Sequence, residues 1–281
     1  VLFEQRLAAT DGCASGPDAG TLILPQTGSY TLRVFAFNDW VEGYSFRIVP
    51  VLDEERLLAI GNVITNALAT PGATHRYTFA GAAGQKLYFD ELTGHGCFGA
   101  LRWALRDPDG EVLFEQRLAA TDGCASGPEA GTVILPKSGA YSLRIFAVND
   151  WVEGYSFQIV PIVDQSQPVA LGEVVTNALQ TVGATDTYTF QGVAGQKLYF
   201  DELTGHGCFG SLRWALRDPD GVALFDQRFA GLDACASGPD AGTVTLPKSG
   251  AYSLRVFGLN DWVEGYSFQI VPIVDQSQLV A

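Results

Sequence analysis

The sequence has no methionine, only four lysines and three histidines, and no apolar run close to the roughly 18–20 residues that cross a bilayer as a helix. The absence of methionine has no evident physical cause. Few lysines and a net charge of −14 argue against nucleic acid as a partner. No secretory leader is visible, and no stretch keeps helical periodicity over ten or more residues. A G-x-S-x-G elbow, an H-E-x-x-H pair and a phosphate-cradling glycine loop are all missing, so the chain is expected not to be an enzyme. What is abundant is apolar residue, at 47%, and glycine, at 32 residues, the composition of a globular chain. Its acidic surface suits solubility, divalent cations or a basic partner.

The stretch "LFEQRLAATDGCASGP" occurs at Leu2 and again at Leu113, with a diverged copy, "LFDQRFAGLDACASGP", at Leu224. These starts lie 111 residues apart, and Tyr30, Tyr141 and Tyr252 keep the same step, as do Trp40, Trp151 and Trp262. The chain therefore reads as the C-terminal half of a repeat (1–55), two complete repeats (56–166 and 167–277) and the start of another (278–281). Both ends read as cut from a longer array. A period of 111 exceeds the roughly 20–50 residues of a solenoid unit and matches a domain with its own core.

Five cysteines follow the repeat: Cys97 with Cys124, Cys208 with Cys235, and Cys13, whose counterpart would precede residue 1. Between Cys97 and Cys124 the segment folds back at Asp107-Pro108-Asp109-Gly110, a type I turn followed by a left-handed glycine. That register sets Cys97 opposite about residue 121, within a small loop adjustment of a disulfide. Disulfides Cys97–Cys124 and Cys208–Cys235 are expected, with Cys13 pairing outside the fragment, which implies an extracellular or cell-surface location. The alternative is buried free thiols packed as small apolar groups.

In the third repeat, "EVVTNAL", "TYTFQG", "QKLYFDEL", "SLRWALRD", "VALFDQRF", "GTVTLP", "AYSLRVFG" and "GYSFQIV" read as eight strands. "SLRWALRD" sets Leu212, Trp214 and Leu216 on one face against Arg213 and Arg217 on the other. Period-two alternation and turn signals every roughly 8–15 residues predict an all-β chain of tandem antiparallel β-sandwiches, jelly-roll-like.

The ordered set "YTFQGVAGQKLYFD", "WALRDPDGVALF", "LPKSGAYSLRVF" and "EGYSFQIV" resembles the bacterial pre-peptidase C-terminal domain family across nearly the whole of each repeat. The cysteine pair is an addition to that pattern. The resemblance implies a β-sandwich accessory module of secreted proteins, of a kind that in some members binds calcium, collagen or polysaccharide.

The motif "NDWVEGYSF" supplies oxygen donors in each copy, from Asn38, Asn149 and Asn260 onward. Asn149, Asp150 and Glu153, and likewise Asn260, Asp261 and Glu264, form candidate calcium sets that other loops, carbonyls or water would have to complete. An Asx turn with a tryptophan over the core edge explains the same residues. His95 and His206 each precede a cysteine by two residues; a bridged cysteine is neither nucleophile nor ligand, and one such histidine per repeat is too few for zinc. His75 gives way to Asp186 in the next repeat, which marks that histidine as dispensable to the fold. Trp40, Trp151 and Trp262 serve either as an aromatic platform for a sugar or as core. The connecting stretch 159–175, with Pro161 and Pro168, predicts a semi-rigid joint in which this strand docks on a neighbouring sheet edge.

The functional expectation is a structural repeat segment of a large secreted or cell-surface protein, a filament or an adhesin stalk, self-associating through neighbouring repeats or other chains. Its rival is a multivalent binding module for polysaccharide, collagen or another matrix polymer. A third reading makes the repeats accessory to an enzyme encoded elsewhere in the protein.

Overall fold

The computed structural model describes residues 1–5, 7, 20–36, 39, 41, 43–93, 100–118, 131–148, 151–204, 212–229, 241–259 and 263–274. Among them every regular element is a strand, and the strands form two successive sets of nine. The first set is β1 (Glu54–Leu57), β2 (Val63–Ala67), β3 (Thr74–Gly81), β4 (Lys86–Thr93), β5 (Leu101–Arg106), β6 (Val112–Arg117), β7 (Gly131–Ile134), β8 (Gly139–Ala147) and β9 (Gly154–Pro161). The second is β10 (Gln165–Pro168), β11 (Val174–Ala178), β12 (Thr185–Gly192), β13 (Lys197–Thr204), β14 (Leu212–Arg217), β15 (Ala223–Arg228), β16 (Gly242–Thr245), β17 (Gly250–Gly258) and β18 (Gly265–Pro272).

Each set makes two sheets. In the first, β1-β3-β8-β5-β6 faces β2-β9-β4-β7; in the second, β10-β12-β17-β14-β15 faces β11-β18-β13-β16. From β2 onward the chain passes between the sheets at every step except the β5–β6 hairpin, the strand order of a jelly roll. The chain is thus all-β, built of tandem sandwiches. One strand of each set falls outside the eight expected: β1 pairs in parallel with β3, and β10 in parallel with β12.

Alternation builds each core. Along β5, Leu101, Trp103 and Leu105 are buried while Arg102 and Arg106 reach the surface. Trp103 is fully buried, edge-on to Phe89 and Phe157 at 6.2 Å each, and Trp214 repeats this with Phe200 and Phe268 at 6.3 Å. The β5–β6 turn is closed by Gly110, at φ +87°, and by Asp107 Oδ1, which accepts the amides of Asp109 and Glu111 at 2.9 Å. Lys137 ties this turn to the β7–β8 loop, 2.6 Å from both Asp107 and Asp109, so both carboxylates act to raise the lysine pKa. A hydroxyl brace follows: Tyr141 donates to Lys137 O at 2.7 Å, as Tyr252 does to Lys248 O at 2.7 Å.

The half repeat behaves differently. Its described residues from 20 to 53 form no strand, although Tyr30 still donates to Gln26 O at 2.5 Å. Leu24, Leu32, Tyr44 and Phe46 are exposed, whereas Leu135, Leu143, Tyr155 and Phe157, one period on, are buried. In the complete sandwiches these strands pair with β2, β3, β4 and β5, and residues 1–53 contain no counterpart of those four.

Candidate functional site

Among the described residues, a buried polar cluster lies where β1, β2, β3 and β9 meet. Alternation along β3 turns His75, Tyr77 and Phe79 inward, with His75 2% and Tyr77 1% exposed. Asn66 on β2 donates to Glu54 Oε2 on β1 at 3.1 Å and to the Tyr77 hydroxyl at 3.2 Å. The Tyr77 and Tyr155 hydroxyls are 2.8 Å apart, and the Tyr155 hydroxyl is 2.6 Å from His75 Nδ1. A donor chain running Asn66, Tyr77, Tyr155, His75 satisfies each link when the imidazole is neutral and protonated at Nε2. Burial lowers the His75 pKa, partly opposed by the charge of Glu54. Asn66 holds the Glu54 carboxyl below its ordinary range, and burial pushes the Tyr155 phenol up.

The second sandwich rebuilds this corner with other residues. Asp186 replaces His75, while Gln165 and Gln167 replace Glu54 and Arg56. Asn177 now donates to Asp186 Oδ2 at 3.2 Å and to Tyr188 at 3.0 Å; Tyr266 donates to Asp186 Oδ2 at 2.5 Å. Asp186 is 1% exposed, and its Oδ1 has no hydrogen-bond partner among the described residues. Burial raises the Asp186 pKa, against the lowering effect of the Tyr266 hydroxyl. The acid beside the asparagine has moved from the edge strand to the inner one.

These corners store protons and hydrogen bonds, but their burial keeps a substrate-sized molecule away from every hydroxyl and from the imidazole. A shallow depression of about 140 Å³ lies outside the first corner, lined by Asp53, Glu54, Glu55, Thr74, Arg76 and Arg144. Its wall mixes both charge signs, and Glu55 and Arg76 already pair at 3.2 Å.

Along the chain, the motifs singled out in the sequence follow β4, β6 and β8 and their copies β13, β15 and β17. Leu118 donates its amide to Leu101 O at 3.0 Å, and Phe229 to Leu212 O at 2.8 Å, so the described residues flanking the cysteine segments are adjacent. Cys13, Cys97, Cys124, Cys208 and Cys235 themselves lie outside the described residues, as do His95, His206, Asn149, Asp150, Asn260, Asp261, Trp40 and Trp262. Of the calcium candidates, Glu153 and Glu264 are described, each 6% exposed just before β9 and β18. Trp151 is 43% exposed. Among the described residues no group of three or more His, Cys, Asp or Glu side chains is placed to hold a metal ion.

Reading alternation alone missed Asn66, Tyr77 and Tyr155 as a polar set. Glu54, Arg56 and His75 all differ between the copies, but so do neighbours such as Leu57, Asn62 and Arg76, and no pattern in the sequence singles out this corner.

No family model matches the chain. No curated protein matches it either. Among solved structures, the chain is similar to the Aeromonas hydrophila periplasmic inhibitor of g-type lysozyme, at 15% identity and TM-score 0.31, over 40% of this chain and 99% of that one. It is also similar to the CUB1-EGF-CUB2 domains of human MASP-1/3, at 8% identity and TM-score 0.22 over 74% and 99%, and of rat MASP-1, at 10% and 0.21 over 78% and 99%. Scores this low carry no argument about function.

Proposed function

We propose that this chain is a segment of a structural repeat array in a large secreted or cell-surface protein, an extracellular filament or adhesin stalk, and that it is not an enzyme. The observation that carries this reading is the same closed sandwich built twice in line, with only residues 162–164 between β9 and β10. Each sandwich completes its own core, so repetition adds length without altering the unit. The repeats are pre-peptidase-C-terminal-like in this reading, with Cys97–Cys124 and Cys208–Cys235 stapling the loop-bearing end of each. The adjacency of the strand ends at Leu101 and Leu118 supports that pairing. Calcium at Asn149, Asp150 and Glu153 and at their copies belongs to the same reading, as a lock on that end.

Electron microscopy of the native material, with reducing and non-reducing gels, tests it. Beaded rods or fibres, and faster migration without reductant, are expected. Compact single particles would overturn it.

The exposed Trp151, flanked by the exposed Val148 and Val152, favours a second reading, multivalent binding of a polysaccharide or matrix polymer at the loop end. Glycan-array binding abolished by Trp151→Ala together with Trp262→Ala would establish it.

A further inference from the structure

The junction between the sandwiches carries an inference of its own. Asp164, the last residue of the connection, accepts the amide of Thr185 at the start of β12 at 2.8 Å. The same carboxylate reaches back to Lys86 Nζ at the start of β4, at 2.8 and 3.0 Å. One side chain thereby holds both sandwiches. Ile162 keeps the connection on the first, donating its amide to Lys86 O at 3.0 Å.

Gly183, in the turn between β11 and β12, lies against the first sandwich. A Cβ there would come 2.6 Å from Thr132 Oγ1 and 2.9 Å from both Ile162 Cδ1 and Tyr88 Cδ2, and the residue sits at φ +71°. Thr132 and Tyr88 are cross-strand partners on β7 and β4, so the turn rests on a sheet face that only glycine can approach so closely. The cover is measurable: Tyr88 is 3% exposed, whereas Tyr199, its equivalent on β13, is only half-buried.

The junction before β1 uses the same parts. Gly72, at φ +76°, would collide through a Cβ with Thr21, and Val51 lies beyond it at 3.8 Å. Asp53 accepts the Thr74 amide at 2.8 Å. Thr21, Val51, Asp53 and Gly72 stand one period before Thr132, Ile162, Asp164 and Gly183. Recurrence at two junctions, one of them beside a segment that forms no strand, separates a designed contact from chance packing.

We propose that the face made by Tyr88, Thr132 and Ile162 is a socket for the glycine turn of the next repeat of the same chain, so that consecutive repeats sit in one fixed orientation. The inference rests on the array reading and adds to it a constant rotation per repeat, the condition for a straight or regularly coiled rod.

The test is the distribution of distances between spin labels on unnatural residues at the exposed positions 112 and 222 of the 281-residue chain. Gly172 supplies the control: it has φ +88° but nothing within 4 Å of a built Cβ, so Gly172→Ala brings the same backbone strain without touching the socket. A single narrow distribution is expected for the parent chain and for Gly172→Ala, with at least a twofold broadening for Gly183→Ala. Lys86→Met, which leaves the Asp164–Thr185 bond in place, should broaden it less. A broad distribution in the parent chain, or Gly183→Ala no broader than Gly172→Ala, would overturn the proposal. Failure of the array reading shows elsewhere, as compact native particles with an unchanged distance distribution.

Discussion

His75 and Asp186 occupy the same place in two sandwiches whose cores otherwise repeat almost residue for residue. One is a base held neutral by burial, the other an acid whose proton is favoured by burial. The exchange is not free substitution. Where histidine stands, Glu54 supplies the acceptor for Asn66; where aspartate stands, it takes that acceptor role itself and the edge residue becomes Gln165. The two corners teach that the fold keeps the asparagine on one tyrosine of a hydroxyl pair and leaves open which residue carries the acid. The sequence marks His75 as dispensable; the corner geometry predicts instead that it is replaceable only in company.

The largest effect should come from breaking that company. His75→Asp alone places a second acid beside Glu54 in a buried site and should cost the first sandwich about 3 kcal/mol. Adding Glu54→Gln and Arg56→Gln, which reproduces the second corner, should recover most of the loss. Urea unfolding followed by hydrogen exchange over 74–81 measures both steps. Failure of the triple variant to recover would mean that the corners differ in more than these residues.

A smaller effect, of the opposite sign, is expected from Asp186→Asn. Removing a buried carboxyl with one oxygen unpaired among the described residues should stabilise the second sandwich by about 1 kcal/mol at pH 7. At pH 3, where Asp186 is already protonated, the gain should vanish. Thermal melts at the two pH values decide this.

The smallest effect sharpens a different contrast, that between the complete repeats and residues 20–53. Tyr141→Phe removes the brace to Lys137 O inside a packed sandwich and should cost about 0.5 kcal/mol in chemical denaturation. Tyr30→Phe removes the same local bond and should leave both unfolding transitions where they are. A shift with Tyr30→Phe would show that residues 20–53 contribute to a core after all.

Eight of the nine strands in each sandwich were legible, because alternation such as Leu212, Trp214, Leu216 against Arg213, Arg217 reports a half-buried sheet directly. The Asp107–Gly110 turn was equally plain, and its glycine does adopt a left-handed backbone. The ninth strand was not. "EERL" and "QSQP" carry no apolar alternation, since an edge strand largely open to solvent buries little. What holds them is pairing to β3 and β12 together with the Asp53 and Asp164 carboxylates, contacts between residues distant in sequence. Residues 20–53 carry the apolar pattern of β7, β8 and β9, yet those described form no strand, because pattern records which face a strand would bury and not whether its partners are present. The buried corner escaped for a related reason: tyrosines at inward positions look like ordinary core until the hydroxyls are seen to meet.

The contrast between the corners is tested most directly by hydrogen exchange on one sample across pH, following the β3 peptide 74–81 and the β12 peptide 185–192 with intrinsic rates corrected. A depressed histidine pKa means that the unfolded first sandwich binds more protons just below pH 6.5, so its stability falls as pH drops through that window. The charges of Glu54 and Asp53 temper the size of the fall and that of Arg56 adds to it, without changing its sign. A raised aspartate pKa means that the folded second sandwich binds more protons above pH 3.8, so its stability rises as pH drops toward that value. Protection of the β3 peptide should therefore fall relative to the β12 peptide as pH is lowered from 7.5 to 5. Parallel changes in the two peptides would contradict the assignment of opposite proton chemistry to His75 and Asp186.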